Sequence, residues 1–246
     1  MERGGKTIME RQKRSLMGWV TTMVILALAW TISDVGPAFA DDATDAKQLV
    51  QKAEFTFENS LTSKELVGFQ GLLRKAKGVL ISPQVLEGAF VFGVSGGSGV
   101  FLVRDAKTGV WRGPAFYTIG EVSFGLQIGG KSSQVLMLAM TDRGVNALLS
   151  PSVKLGADVG VAAGPVGAGA AAATANISAD ILVYALSQGL YAGISLTGAV
   201  VAVRNSWNEA YYNKKGVTPT DILIRGDVKN PAADKLLESV SKAARP

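Results

Sequence analysis

Histidine and cysteine are both absent from this chain. Without cysteine there is no disulfide, no thiolate nucleophile and no thiolate-ligated metal. Without histidine, Ser-His-Asp and Cys-His nucleophilic systems, imidazole-bound zinc and imidazole general bases are excluded in their usual forms. Carboxylate or lysine chemistry and oxygen-ligated metals survive that filter. Acidic residues are sparse between Lys77 and Arg204: Glu87, Asp105, Glu121, Asp142, Asp158 and Asp180. Asp105 has a turn to explain it and Asp142 a helix start, where it is expected to be the cap. Glu121, Asp158 and Asp180 lie in apolar, strand-like surroundings that can raise a carboxyl pKa. No spacing pairs them, so an enzyme is the poorer reading and no cofactor is called for. An acid–base site would need two of the three in one closed pocket.

Glycine, by contrast, is plentiful. The stretch from Lys77 to Arg204 holds 21 of the 29 glycines, distributed among short apolar runs. That punctuation marks many short strands with turns between them, and so a binding or structural body.

The N-terminus reads as an export signal. Arg11, Lys13 and Arg14 precede an apolar run of 14 residues, Trp19–Ile32, and Ala38-Phe39-Ala40 supplies a small-x-small cleavage pattern. The run falls short of the ~20 residues that a membrane-spanning helix needs, which tells against an uncleaved anchor. Residues 1–40 are therefore expected to be removed after Ala40, giving a periplasmic or secreted protein. The net charge would fall from +5 to +3, too small and too scattered for nucleic-acid binding. A weak attraction to anionic membrane surfaces stays open.

Three zones follow. Thr44–Ala76 is helical in pattern: Ala46, Leu49, Val50, Ala53 and Phe57 recur at helical spacing. Thr62 and Glu65 have the spacing of a capping box for a second helix. Its apolar face would be Leu66, Phe69, Leu73 and Ala76, and it ends on Arg74, Lys75 and Lys77, cations that suit a helix C-terminus. The middle zone predicts strands at Gly78–Ser82, Ala89–Val94, Gly99–Arg104, Ala115–Ile128 and Gln134–Thr141. A short helix, Asp142–Ser150, interrupts them. Further strands are expected around Leu155–Ala163, Gly167–Thr174, Ala179–Leu186 and Gly193–Val203, although Ala168–Ala175 would be helix by alanine propensity alone. Asp105–Gly109 reads as a hairpin turn, with Gly109 at a left-handed position. In the tail, Asn230 and Pro231 open a last helix with Leu236, Leu237 and Val240 as its buried stripe. Short connections favour antiparallel neighbours. The expected class is α+β: a single domain whose β-rich antiparallel sheet or barrel-like centre is flanked by N- and C-terminal helices. The expected divisions are a signal at 1–40, an N-terminal helical segment at 41–63 and the domain proper at 64–246.

Ser95-Gly96-Gly97-Ser98-Gly99 resembles a phosphate-binding loop in composition only. It lacks the GK[ST] ending and leads into a strand, so a hairpin or close backbone packing is the better reading. Gly164-Pro165-Val166-Gly167 reads as a turn. Arg74, Lys75 and Lys77, with Arg104, Arg112, Lys131, Lys214 and Lys215, form a candidate patch for lipid phosphates. The alternative is a set of scattered solvated charges. Trp111, Phe116, Tyr117, Tyr191, Trp207, Tyr211 and Tyr212 are candidate interfacial anchors, or else core.

The order of these blocks resembles the SYLF family of lipid-binding domains, also described as a yeast-type actin-binding domain. The resemblance rests on AKGVLISPQV (Ala76–Val85), FVFGVSGGSGVFLVRD (Phe90–Asp105), GVWRGPAFYTIGEVSFGLQIG (Gly109–Gly129), LGADVGVAAGPVG (Leu155–Gly167) and GLYAGISLTGAVV (Gly189–Val201), with NEAYY (Asn208–Tyr212) after them. It covers roughly Lys64 to Ile224. It implies a non-enzymatic domain that binds membrane phospholipids, anionic ones among them, with phosphoinositides the class associated with eukaryotic members. Fungal members are linked to actin, which is not an expected partner in a periplasm; an envelope protein is the alternative partner. This chain departs from the family pattern at the acidic start Asp41-Asp42, at Ala168, at Ala185-Leu186-Ser187-Gln188 and at Thr197. These departures remove charges associated with a phosphoinositide site of the eukaryotic kind. Arg74, Lys75 and Lys77 remain the candidate lipid-binding residues.

Overall fold

A computed structural model describes residues 38–245 apart from 67, 90–91, 125–128, 166–177, 188–189 and 192–195. Helix α1 (Ala38–Thr62) opens the described chain and a 3-10 turn (Lys64–Leu66) and short helix α2 (Phe69–Leu73) follow it. The central strands are β1 (Gly78–Ala89), β2 (Phe92–Arg104), β3 (Trp111–Phe124) and β4 (Gly129–Ala139). Helix α3 (Asp142–Leu149) leads to β5 (Ser152–Lys154), β6 (Val161–Ala163), β7 (Ile181–Ser187), β8 (Leu190–Tyr191) and β9 (Val200–Val203). Helix α4 (Asn205–Tyr212), a π-helical turn (Asp221–Arg225), a 3-10 turn (Pro231–Ala233) and helix α5 (Asp234–Ala243) complete it.

The strands form one sheet in the order β5-β9-β3-β2-β1-β4-β7-β6, with β8 paired to β7. Each pairing is antiparallel except β6 with β7. Side chains alternate across a strand, and here both faces are covered. Val79, Ile81, Val100, Leu102, Leu136, Leu138, Leu182 and Tyr184 face the helices α1, α2, α4 and α5. Leu80, Phe101, Val103, Val135, Met137, Ile181 and Val183 face α3, the β5 and β9 strands and the π-helical turn. Burial on both sides explains why these strands read as continuous apolar runs without polar alternation. The segment Phe39–Pro246 is one compact unit, an α+β domain with helices at both ends.

α1 docks through the expected stripe: Ala46, Leu49, Val50, Ala53 and Phe57 are all buried. Removing a Leu, Val or Phe side chain from water is worth about 1.5–3 kcal/mol, so α1 is held by packing more than by its own propensity. Leu66, Phe69, Leu73 and Ala76 are buried as expected.

The capping box is not formed. α1 runs on through Thr62, whose hydroxyl donates to the Asn59 carbonyl at 3.0 Å, and α2 starts after Gly68 in a left-handed conformation with no side-chain cap. Nor is Asp142 the cap of α3. Thr141 occupies that position, its hydroxyl accepting from the Gly144 N–H at 3.1 Å, which leaves the Asp142 carboxylate in the first turn and free to pair elsewhere. The expected strand at Leu155–Ala163 is largely a turn bridged between Leu155 and Val159, with only Val161–Ala163 extended. Gly167–Thr174 lies outside the described residues. At the C-terminus Asn230 does cap, accepting from the Ala232 N–H at 3.0 Å ahead of Pro231.

Candidate binding site at the basic end of the sheet

Two backbone bonds determine what gathers at the start of β1. The Lys77 N–H donates to the Ala139 carbonyl, and the Arg104 N–H donates to the Lys77 carbonyl, both at 2.8 Å. The registers Gly78↔Val103 and Gly78↔Ala139 continue them. The end of α2, the β2–β3 hairpin and the start of α3 therefore meet at one end of the sheet.

A cleft of about 740 Å³ lies there, lined by Lys75, Lys77, Arg104, Lys107 and Arg112, with Asp105 and Asp142 as its carboxylates. Both carboxylates are engaged. Lys77 Nζ meets Asp142 Oδ2 at 2.5 Å and Arg112 meets Asp105 at 2.7 Å; Arg112 also donates to the Ile224 carbonyl. Arg104 donates to the Arg74 carbonyl at 3.1 Å. Lys75, Arg104 and Lys107 have no carboxylate partner among the described residues. The hairpin that carries Lys107 is rigidly made: Asp105 Oδ1 accepts from the Lys107 and Thr108 N–H groups at 2.9 and 2.8 Å, and Gly109 closes the turn at φ 72°. Those bonds, those to Thr108 above all, hold the Asp105 carboxyl below its usual range, and Arg112 adds to the effect.

Exposed apolar side chains border these cations. Ile224 lines the cleft and is 42 % exposed, while Val110 at the hairpin is 57 % exposed. Beyond Arg112 a second cleft carries Arg225, Lys229, Lys242 and Arg245 against Asp234 and Glu238.

Of the sequence candidates, Lys75, Lys77, Arg104 and Arg112 are brought together. Arg74 is exposed beside them as the C-cap of α2. Lys214 and Lys215 are exposed on the turn after α4 and do not line the cleft. The Lys131 side chain lies outside the described residues. Lys107 was not singled out from sequence; the signal was its place in the turn directly after Arg104.

The candidate anchors are mostly core. Trp111, Phe116, Tyr117, Trp207 and Tyr211 are buried, and Tyr212 is half-buried with its hydroxyl donating to the Pro114 carbonyl at 2.7 Å. Tyr117 donates to the Leu148 carbonyl and Trp207 to Asp42, so their polar atoms are satisfied within the fold. The Tyr191 side chain lies outside the described residues.

The carboxylates are structural as well. Asp158 Oδ2 accepts from the Lys154 N–H at 2.7 Å and closes a turn. Asp180 accepts from Thr141 Oγ1 at 2.6 Å and from the Gly160 N–H at 3.2 Å, with Arg143 at 3.7 Å. Its carboxyl is held below the usual range, first by the Thr141 hydrogen bond, the reverse of the raised pKa that the apolar surroundings suggested. The Glu121 side chain lies outside the described residues. Ser95–Gly99 is strand β2 and not a phosphate loop.

A curled β-sheet with a basic cleft at one end and helices at both ends of the described residues makes this an α+β domain. Residues 120–243 match the family model Ysc84, described as a Las17-binding protein actin regulator, and the chain belongs to that family. It is 31 % identical over 179 residues to the Saccharomyces cerevisiae protein YSC84, an alignment covering 70 % of this chain and 37 % of that protein. The human SH3 domain-containing YSC84-like protein 1 is 32 % identical over 188 residues, covering 75 % and 54 %. LAS seventeen-binding protein 3 of S. cerevisiae is 28 % identical over 185 residues, covering 74 % and 39 %. The chain thus spans between about a third and just over half of these relatives. None of the three names is that of an enzyme.

Proposed function

We propose that this is a non-enzymatic domain that associates with anionic phospholipid surfaces through its basic end. The observation carrying this reading is the cleft in which Lys75, Arg104 and Lys107 keep their charge uncompensated because both carboxylates present are already paired. Each lysine or arginine near an anionic surface contributes about 1 kcal/mol, and exposed Val110 and Ile224 supply apolar area beside them. The export pattern in residues 1–40 supports action at the envelope membrane, in a periplasm or outside the cell. Flotation of the protein with vesicles of pure phosphatidylcholine and of phosphatidylcholine with phosphatidylglycerol tests it. Recovery with the anionic vesicles alone is expected; equal absence from both overturns the reading. The family description, that of a protein-binding regulator, favours a second reading, a protein-interaction domain of the envelope. Purification from the native envelope of a stable protein complex that carries no lipid would support that reading.

A further inference from the structure

Strand β1 breaks register at a single place, against both neighbours. The irregularity falls between Ile81 and Gln84 toward β2 and between Ser82 and Val85 toward β4. Pro83 sits in it, a residue without an N–H to offer a ladder. A bulge of this kind bends a strand and re-aims its side chains, and here it opens a groove of about 700 Å³ beneath α1.

Two polar rows line that groove. On α1, Gln48, Gln51, Lys52 and Phe55 follow the i, i+3, i+4, i+7 spacing that puts residues on one helical face, beside the stripe that enters the core. On the sheet, Gln84, Ser132 and Gln134 form the opposite row. Gln84 Nε2 donates to Ser132 Oγ at 3.3 Å within the sheet row. Among the described residues no hydrogen bond crosses from one row to the other, and Gln48, Gln51 and Gln134 have no side-chain partner. Each carboxamide offers two donors and an acceptor, so the groove presents hydrogen-bonding groups of both kinds that the protein does not use. Its volume falls within the range typical of small-molecule sites.

Charge and shape narrow the occupant. Among the described residues Lys52 is the one charged side chain lining the groove, where the basic cleft has five cations, and the two share no residue. An anionic headgroup has little to hold it here. Phe55 stands at the rim with 65 % of its surface exposed, and a flat ring beside carboxamides and a hydroxyl complements a molecule with an apolar C–H face and a rim of hydroxyls.

We infer that this groove is a binding site for a neutral carbohydrate, with the ring of Phe55 against the sugar's C–H face and Gln48, Gln51, Gln84 and Gln134 bonding its hydroxyl or acetamido groups. The glutamine side-chain N–H signals in a ¹⁵N-correlation spectrum test it directly, with cellobiose and N,N′-diacetylchitobiose as probes. Saturable shifts with at least one sugar are expected, weakened about tenfold, the worth of one good hydrogen bond, in Gln84→Ala and to a similar extent in Phe55→Ala. Both side chains are exposed, so both variants are expected to keep the parent's melting temperature. No saturable shift with either sugar overturns the site, as does an unaltered titration in the two variants. Lys75→Gln/Lys107→Gln, which alters the basic cleft, should leave the sugar titration unchanged; loss there would instead assign the sugar to the basic cleft and overturn the inference.

Discussion

Gly97 is where the bulge of β1 becomes a requirement on a single residue. A Cβ at this position would lie 2.4 Å from the Gln84 carbonyl oxygen and 3.0 Å from the Val85 side chain. The nearest obstacle is backbone, which cannot rotate away. Forcing extra atoms into a packed site costs about 1–3 kcal/mol, so Gly97→Ala is expected to lower stability by that amount in urea unfolding. Gly96, whose Cβ would meet nothing closer than 4.0 Å, is the control: Gly96→Ala should change stability far less. Equal losses at the two positions would remove the bulge as the cause. Asp180 supplies a second residue-scale test. Its folded pKa is depressed by Thr141, the Gly160 N–H and Arg143, so its stabilisation is complete above the ordinary aspartate pKa of about 4 and is lost as pH falls through the lower folded value. Asp180→Asn keeps an acceptor for Thr141 but does not titrate. Its stability, followed by urea midpoint from about pH 5 down to pH 2, should therefore fall less steeply than the parent's, and parallel curves would contradict the assignment.

At the scale of elements, the domain is joined through an aromatic chain. Phe57 of α1 meets Phe69 of α2 at 6.3 Å between ring centroids, and Phe69 meets Tyr184 of β7 at 5.2 Å, both edge-on. All three rings are fully buried. Phe57→Ala is expected to cost about 3–5 kcal/mol. A double-mutant cycle with Phe69→Leu should give a coupling of about 0.5–1.5 kcal/mol, the worth of an aromatic pair beyond its area; strict additivity would mean that the two helices dock independently. This packing was legible in the sequence because it follows local periodicity, 3.6 residues for α1 and continuous apolar runs for the strands. Features that depend on distant pairing were not. Thr62-x-x-Glu65 has the spacing of a cap, but Thr62 lies inside α1, and the next helix is the single short turn Phe69–Leu73. Asp142 carries the usual cap chemistry, yet Thr141 has the extended backbone that a cap needs. The site itself depends on register: Lys77, Arg104 and Lys107 become neighbours only because Gly78 pairs with Val103, a contact no local pattern encodes. The aromatic residues left two readings open in the sequence, since amphipathic side chains suit both a membrane interface and a core, and core, the commoner fate of single aromatics, is what the structure shows for most of them.

For the whole molecule, the question is whether net charge or its arrangement draws the domain to an anionic surface. The chain carries a formal +5, so a general attraction would respond to the loss of any two lysines alike. A built site would not. Lys75 and Lys107 line the cleft where the carboxylates are already paired, while Lys214 and Lys215, also exposed, stand on the turn after α4 and lie outside it. Lys75→Gln/Lys107→Gln and Lys214→Gln/Lys215→Gln lower the net charge by the same amount. At about 1 kcal/mol for each lysine near the surface, the first pair should weaken partitioning onto phosphatidylglycerol-containing vesicles by about thirty-fold, and the second by far less. Raising the salt from about 0.1 M to 1 M shortens the screening length from about 10 to 3 Å. It should therefore release the parent protein and narrow the gap between the two variants. A thirty-fold loss in both, or in neither, would show that the arrangement at the start of β1 does not direct the association.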